Sequence, residues 1–239
     1  MRFLSLPLLL AYATVATAQW KLDDKFNPAK AEDLIDVKST PGPEGAIVLF
    51  DGKSVEKWTK TNGKDEVKWA IKDGAMEGVK GHGDIITKEK FAGSFKLHVE
   101  FRVPYEPTGA GQGKGNSGVY LQGRYEVQVL DSYGLKSGKN DCAAIYEVSA
   151  PSQNVCKAPT VWQSYDIEFT APKFDGDKKT EPVVMTVYHN GVKVQDAVKV
   201  PVDNTRAGRG GDPKTPGPIL LQDHGHPVQY RNIWLMPAK

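Results

Sequence analysis

Between residues 94 and 103 the chain alternates with a strict period of two: Phe95, Leu97, Val99, Phe101 and Val103 against Lys96, His98, Glu100 and Arg102. Side chains of a strand point alternately to opposite faces, so this spacing predicts a strand with one core face and one face in water. A hairpin is predicted from 183–189 and 192–198, because the intervening Asn190-Gly191 supplies the positive φ values of a two-residue turn. Shorter strands are read at 47–50, 67–71, 75–79, 85–87, 143–148, 162–170, 219–222 and 228–235. One short helix is expected near 28–37, and beyond Ala46 the helical period disappears. Many short strands without a sustained helix predict an all-β chain, a jelly-roll β-sandwich preceded by an N-terminal extension.

The first 18 residues carry Arg2, an apolar run through Leu4, Leu6, Leu8, Leu9 and Leu10, and Ala16-Thr17-Ala18. That pattern predicts a secretory signal peptide over 1–18 and an extracellular protein. Residues 19–45 form an extension ending in a Pro/Gly linker, and 46–239 form the sandwich domain. No later stretch approaches the roughly 18 apolar residues of a membrane helix, so no stable membrane anchoring is expected. Cys142 and Cys156 follow a secretion signal, which predicts a disulfide worth on the order of 3 kcal/mol. The 31 basic and 29 acidic residues are scattered, which argues against nucleic acid as a partner.

Residues 116–131 read as two strands with an unusually polar face. Tyr120, Gln122, Arg124, Glu126 and Gln128 share one parity, and Val119, Leu121, Tyr125, Val127 and Val129 the other. A carboxylate, two amides, a guanidinium and a phenol in one row suit a hydroxyl-rich ligand, which makes carbohydrate the expected partner. Gln222 and His224 share a parity at the end of a later strand, and the glycine- and proline-rich stretches 104–115 and 204–218 are expected as rim loops.

Several features then occur in order: Leu49-Phe-Asp-Gly-Lys53 followed by Trp58, Trp69 to Gly74, Asn116-Ser-Gly118, Tyr125-Glu-Val-Gln-Val129 with Asp131, Trp162, Leu220-Leu-Gln222 with His224-Gly225, and Arg231-Asn232. Together they resemble the 3-keto-disaccharide hydrolase-like domain family, which is concanavalin-like. The resemblance implies cleavage of glycosides whose C3 hydroxyl has been oxidised to a ketone. That ketone acidifies the hydrogen on C2, so a base can remove it, the oxygen on C1 can leave, and water can add. One general base and donors for an enolate oxygen suffice. Glu126 or Asp131 is the expected base, with Arg124, Gln128 and His224 on sugar oxygens or the enolate, and Tyr120, Gln122, Tyr146, Trp162 and Gln222 in contact with the sugar. A divalent ion held by Asp223, His224 and His226 is an alternative source of enolate stabilisation.

Two other functions fit the same pattern. A conventional cell-wall glucanase needs two carboxyl groups about 5 Å or roughly 6.5 to 9.5 Å apart. Glu126 and Asp131 would stand about 16 Å apart on opposite faces of a straight strand, so Glu147, Asp166 or Glu100 would have to supply the partner. A non-catalytic sugar-binding module would leave Glu126 and Asp131 facing solvent with unperturbed acidity. His98 is expected at the surface, and Trp58, Trp69 and Trp234 as core anchors.

Overall fold

The computed structural model describes residues 19–238, so the predicted signal peptide lies outside the described residues. The strands run in the order β1 (Ile47–Phe50), β2 (Trp58–Lys60), β3 (Ala70–Lys72), β4 (Ala75–Glu77), β5 (Ile85–Thr87), β6 (Phe95–Arg102), β7 (Asn116–Leu121), β8 (Tyr125–Leu130), β9 (Gln163–Thr170), β10 (Lys173–Asp175), β11 (Lys178–Glu181), β12 (Val183–His189), β13 (Val192–Val200), β14 (Leu220–Leu221) and β15 (Gln229–Pro237). One antiparallel sheet has the order β13-β12-β9-β6-β15-β4-β3, with β1 also on β15. The facing sheet has the order β2-β5-β14-β7-β8, and β10 and β11 form a separate hairpin. The two sheets make a jelly-roll β-sandwich.

Their inner faces meet in a single core. Leu97, Val99 and Phe101 of β6 and Ile167 and Phe169 of β9 oppose Val119 and Leu121 of β7 and Val127 and Val129 of β8, all buried. Burying each such side chain contributes about 1.5 to 3 kcal/mol. Tyr230 crosses the sandwich, and its hydroxyl donates to Ser117 Oγ at 2.7 Å.

The second face of β6 is not wet. His98 is 1% exposed and Glu100 is fully buried, because the N-terminal extension lies across them. Ser39 Oγ and the Thr40 backbone N–H donate to Glu100 Oε1 at 2.6 and 3.1 Å, and Trp234 stacks on His98 at 4.9 Å. The alternation fixes the two faces of the strand; what covers them comes from 60 residues away. The expected helix near 28–37 is a single 3-10 turn, Ala31–Leu34. The segment 143–148 is not a strand, since Ala143 and Glu147 adopt φ of 64° and 59°, which interrupts an extended run. It still runs beside β8, with the Tyr146 N–H on Glu126 O and the Ala143 N–H on Gln128 O.

Cys142 and Cys156 are free thiols in this structure, both buried, with their sulfurs and a His189 ring nitrogen all within 4.8 Å of one another. The Cys142 sulfur also lies 3.0 Å from the Tyr165 hydroxyl.

Candidate active site

The pairing of β7 with β8 sets Tyr120 opposite Glu126 and Gly118 opposite Gln128, on the face away from the Val119–Val127 core. That face is covered. Thr205 of the rim loop accepts the Glu126 N–H at 3.1 Å, and the 143–146 segment closes the edge. Glu126 is therefore only 2% exposed, and its Oε2 has no hydrogen-bond partner. Burial pushes its carboxyl up to about 8, opposed by a hydrogen bond from Tyr120. Among the described residues no charged group contributes to that shift.

Tyr120 is equally enclosed. Gln222 Nε2 donates to its hydroxyl at 2.9 Å, and burial together with the Glu126 charge raises its pKa, so it keeps its proton. Tyr146 stands within electrostatic reach of Glu126, with its pKa raised first by burial and then by that charge. Gly118 is what permits this approach, because a Cβ there would lie 2.5 Å from Glu126 Oε1 and 2.8 Å from Tyr120 Cε2. The Asn-Ser-Gly motif was the sequence signal for it. Ser117 contributes by donating to Gln222 O at 2.6 Å, which fixes the strand end that carries Gln222.

Beside this group lies a cavity of about 640 Å³ lined by Gln122, Arg124, Asp84, Lys90, Arg209 and Leu220, among others. Leu220 pairs with Tyr120 across the sheet, so the cavity adjoins the acid, although Glu126 does not line it. The 204–218 stretch forms one wall through Arg209, Gly211 and Thr215. Asp84 and Arg209, which form an ion pair there, carried no local sequence signal because they meet from distant segments.

Other expected residues stand elsewhere. Asp131 has the core parity of β8; it pairs with Lys114 at 3.3 Å and accepts the Tyr133 N–H. Gln128 is occupied, donating to Gln112 Oε1 and Asn140 O and accepting the Val129 N–H. Trp162 belongs to the other sheet's periphery, sandwiched between Arg102 at 4.8 Å and Arg231 at 4.2 Å. His224 is exposed two residues past Gln222 and stacks on His226 at 5.7 Å. Asp223, His224 and His226 do not converge on an ion position: the Asp223 carboxylate accepts the Gly83 and Gly225 N–H groups, and His226 faces Glu106 at 3.4 Å. Among the described residues the group whose ligand atoms do converge is Cys142, Cys156 and His189.

The acids considered as a second carboxylate are also placed. Glu100 and Asp166 flank His98 on the opposite sheet, and Glu147 faces Arg206 at 3.8 Å.

The 3-keto-alpha-glucoside-1,2-lyase-like domain family matches residues 45–236, from the end of the linker through nearly all of β15. The chain belongs to this family. A protein of Parabacteroides distasonis proposed to be a glycosyl hydrolase is 38% identical, with 83% of this chain and 86% of that one covered and a TM-score of 0.74. A second such protein from the same organism is 22% identical, covering 82% and 95% with a TM-score of 0.58, and shares the fold. No curated protein matches the chain. Family membership makes this a carbohydrate-active protein, and the matched span contains Gly118, Tyr120, Glu126, Tyr146 and Gln222.

Proposed function

We propose that this chain is a secreted enzyme that cleaves 3-keto-glycosides by elimination and hydration, with Glu126 as the base. The observation that carries the reading is a single buried carboxyl raised to about 8, with one oxygen unpartnered and no second acid perturbing it. A carboxylate made this basic is suited to removing a proton next to a carbonyl.

In this scheme the Glu126 carboxylate takes the C2 proton, the electrons form an enolate at C3, and the C1–O bond breaks as the enolate collapses. The departing oxygen is protonated, and water then adds across the C1–C2 double bond, so the net reaction is hydrolysis. Tyr120 retains its proton and is held by Gln222. Once Glu126 is protonated it no longer needs the Tyr120 hydrogen bond, which becomes available to the enolate oxygen. Arg124 would hold the sugar in the adjoining cavity, which Gln122 also lines, whereas the exposed His224 is not among its lining residues.

The conventional glucanase reading requires a second carboxylate facing Glu126, and the three acids considered for that role are engaged elsewhere. A binding module would have no use for an acid held out of water at a cost in stability. The test is incubation of the purified protein with a 3-keto-disaccharide and with its unoxidised parent. Release of aglycone from the keto sugar alone, lost in Glu126→Gln, supports the proposal; turnover of the parent, or of neither sugar, overturns it.

A further inference from the structure

Arg124 is 4% exposed, and no carboxylate pairs with it among the described residues. A buried guanidinium without a counter-charge is costly, so the fate of its five N–H groups matters. Nη1 donates to Gln122 Oε1 at 3.2 Å and to Thr215 O at 3.0 Å, which uses both of its hydrogens. Nη2 donates one hydrogen to Thr215 Oγ1 at 2.9 Å. The second Nη2 hydrogen and the Nε hydrogen remain, and Nε has no partner. These two lie side by side on one edge of the planar group, the arrangement that grips both oxygens of a carboxylate.

That edge is itself buried, and a glycine stands against it. Gly211 stands over it with φ of +98°, and a Cβ added there would sit 3.5 Å from Nη2 and 3.7 Å from Nε. The space a side chain would fill is left to the cavity, which Arg124 and Gly211 both line. Asp84, the acid in that wall, is already engaged by Arg209 and by the Asp223 N–H, while Lys90 adds a further positive charge. At about 640 Å³ the cavity is of the size that takes a small organic ligand.

We propose that the cavity beside Glu126 binds a carboxylate carried on a sugar, so that the glycosides this protein takes include acidic ones of the uronic-acid class, gripped side-on by Arg124. The inference rests on the carbohydrate reading above and deepens it.

The experiment is calorimetric titration of the full chain with methyl β-D-glucuronide, methyl β-D-glucoside, acetate and inorganic phosphate. The glucuronide should bind about tenfold or more tightly than each of the others, the worth of one charged bidentate pair. Arg124→Lys keeps the charge but loses the planar edge, and Gly211→Ala lays a methyl along it. Both should bring the glucuronide down to the level of the glucoside, and Gly211→Ala serves if the lysine variant does not fold. Equal binding of glucuronide and glucoside, acetate or phosphate binding as tightly as the glucuronide, or an undiminished preference in the folded variants would overturn the proposal. None of these ligands carries a ketone, so the outcome is separate from that of the turnover assay. Inertness toward keto sugars with an intact glucuronide preference would defeat the reaction and leave this site standing.

Discussion

Replacing Glu126 with Gln should stabilise the protein in a pH-dependent way while abolishing cleavage. The carboxyl is raised from 4.5 to about 8 by burial. Below about pH 4.5 it is protonated in both folded and unfolded chains and exerts no effect. Between there and about 8 only the unfolded chain ionises, so folding stability falls by up to about 1.4 kcal/mol per pH unit. Above about 8 both forms are ionised and the loss levels off. The full loss is about 5 kcal/mol, an upper bound for a site that water can reach on relaxation. Glutamine never ionises, so any fixed cost of its amide cancels when two pH values are compared. Urea denaturation of wild type and variant at pH 5 and pH 8.5 should show the variant's advantage growing by about 4 kcal/mol. Growth under about 1 kcal/mol would mean that Glu126 is not held out of water, and the base assignment would lose its physical ground.

The same titration should govern the reaction: kcat/KM on a keto substrate should rise about tenfold per pH unit up to about 8 and then flatten, and a profile already flat at pH 6 would contradict it. Gly118→Ala should displace both Glu126 and Tyr120, because its Cβ would fall within 2.8 Å of each, lowering stability by about 1 to 3 kcal/mol and kcat by more than tenfold; a fully active alanine variant would refute the packing argument. The Cys142 and Cys156 sulfurs are near enough that, if the protein is exported as proposed, it should carry them oxidised, so thiol titration in denaturant should find none, and two titratable thiols would disprove the bond. Glu100→Gln should remove an acid-labile element: hydrogen bonds from His98, Ser39, Asn232 and Arg231 outweigh burial and hold Glu100 down to about 2. Wild-type stability should then drop as pH falls from about 4.5 toward 2 more steeply than that of the variant, and parallel acid curves would exclude the effect.

Local pattern carried the fold a long way. The alternation of β6, the Asn190-Gly191 hairpin and Tyr120, Glu126 and Gln128 of the polar row sit where period and turn chemistry put them, because each depends on residues a few positions apart; Gln122, with φ of 53°, and Arg124 fall instead in the turn between β7 and β8. What failed was set by distant neighbours. Lys96, His98, Glu100 and Arg102 spell a solvent face until Ser39 and Thr40 are laid over its middle. Gln128 has the parity and chemistry of a sugar ligand, yet Gln112 and Asn140 consume its amide. Trp162 looked like a sugar platform but holds two arginines on the other sheet. Arg124 was legible as a polar residue of the right face; that two of its hydrogens are left over depends on Thr215 and Gly211, some 90 residues on.

The two buried glutamates separate structural from chemical use of the same side chain. Glu100 and Glu126 are both almost wholly removed from water, at 0% and 2% exposure, so burial by itself distinguishes nothing. Burial pushes both carboxyls upward, and what differs is the return. Glu100 collects Ser39, His98, Arg231 and Asn232 around its two oxygens and ends near 2, as an ion whose desolvation is fully offset. Glu126 has Tyr120 on one side, nothing on Oε2, and ends near 8. A carboxylate satisfied five times over, the Thr40 N–H included, has no capacity left for a proton from substrate and serves to fasten the N-terminal extension. One left half-satisfied in a dry site is unstable as an ion and gains by taking a proton, which is the property a base next to a ketone requires.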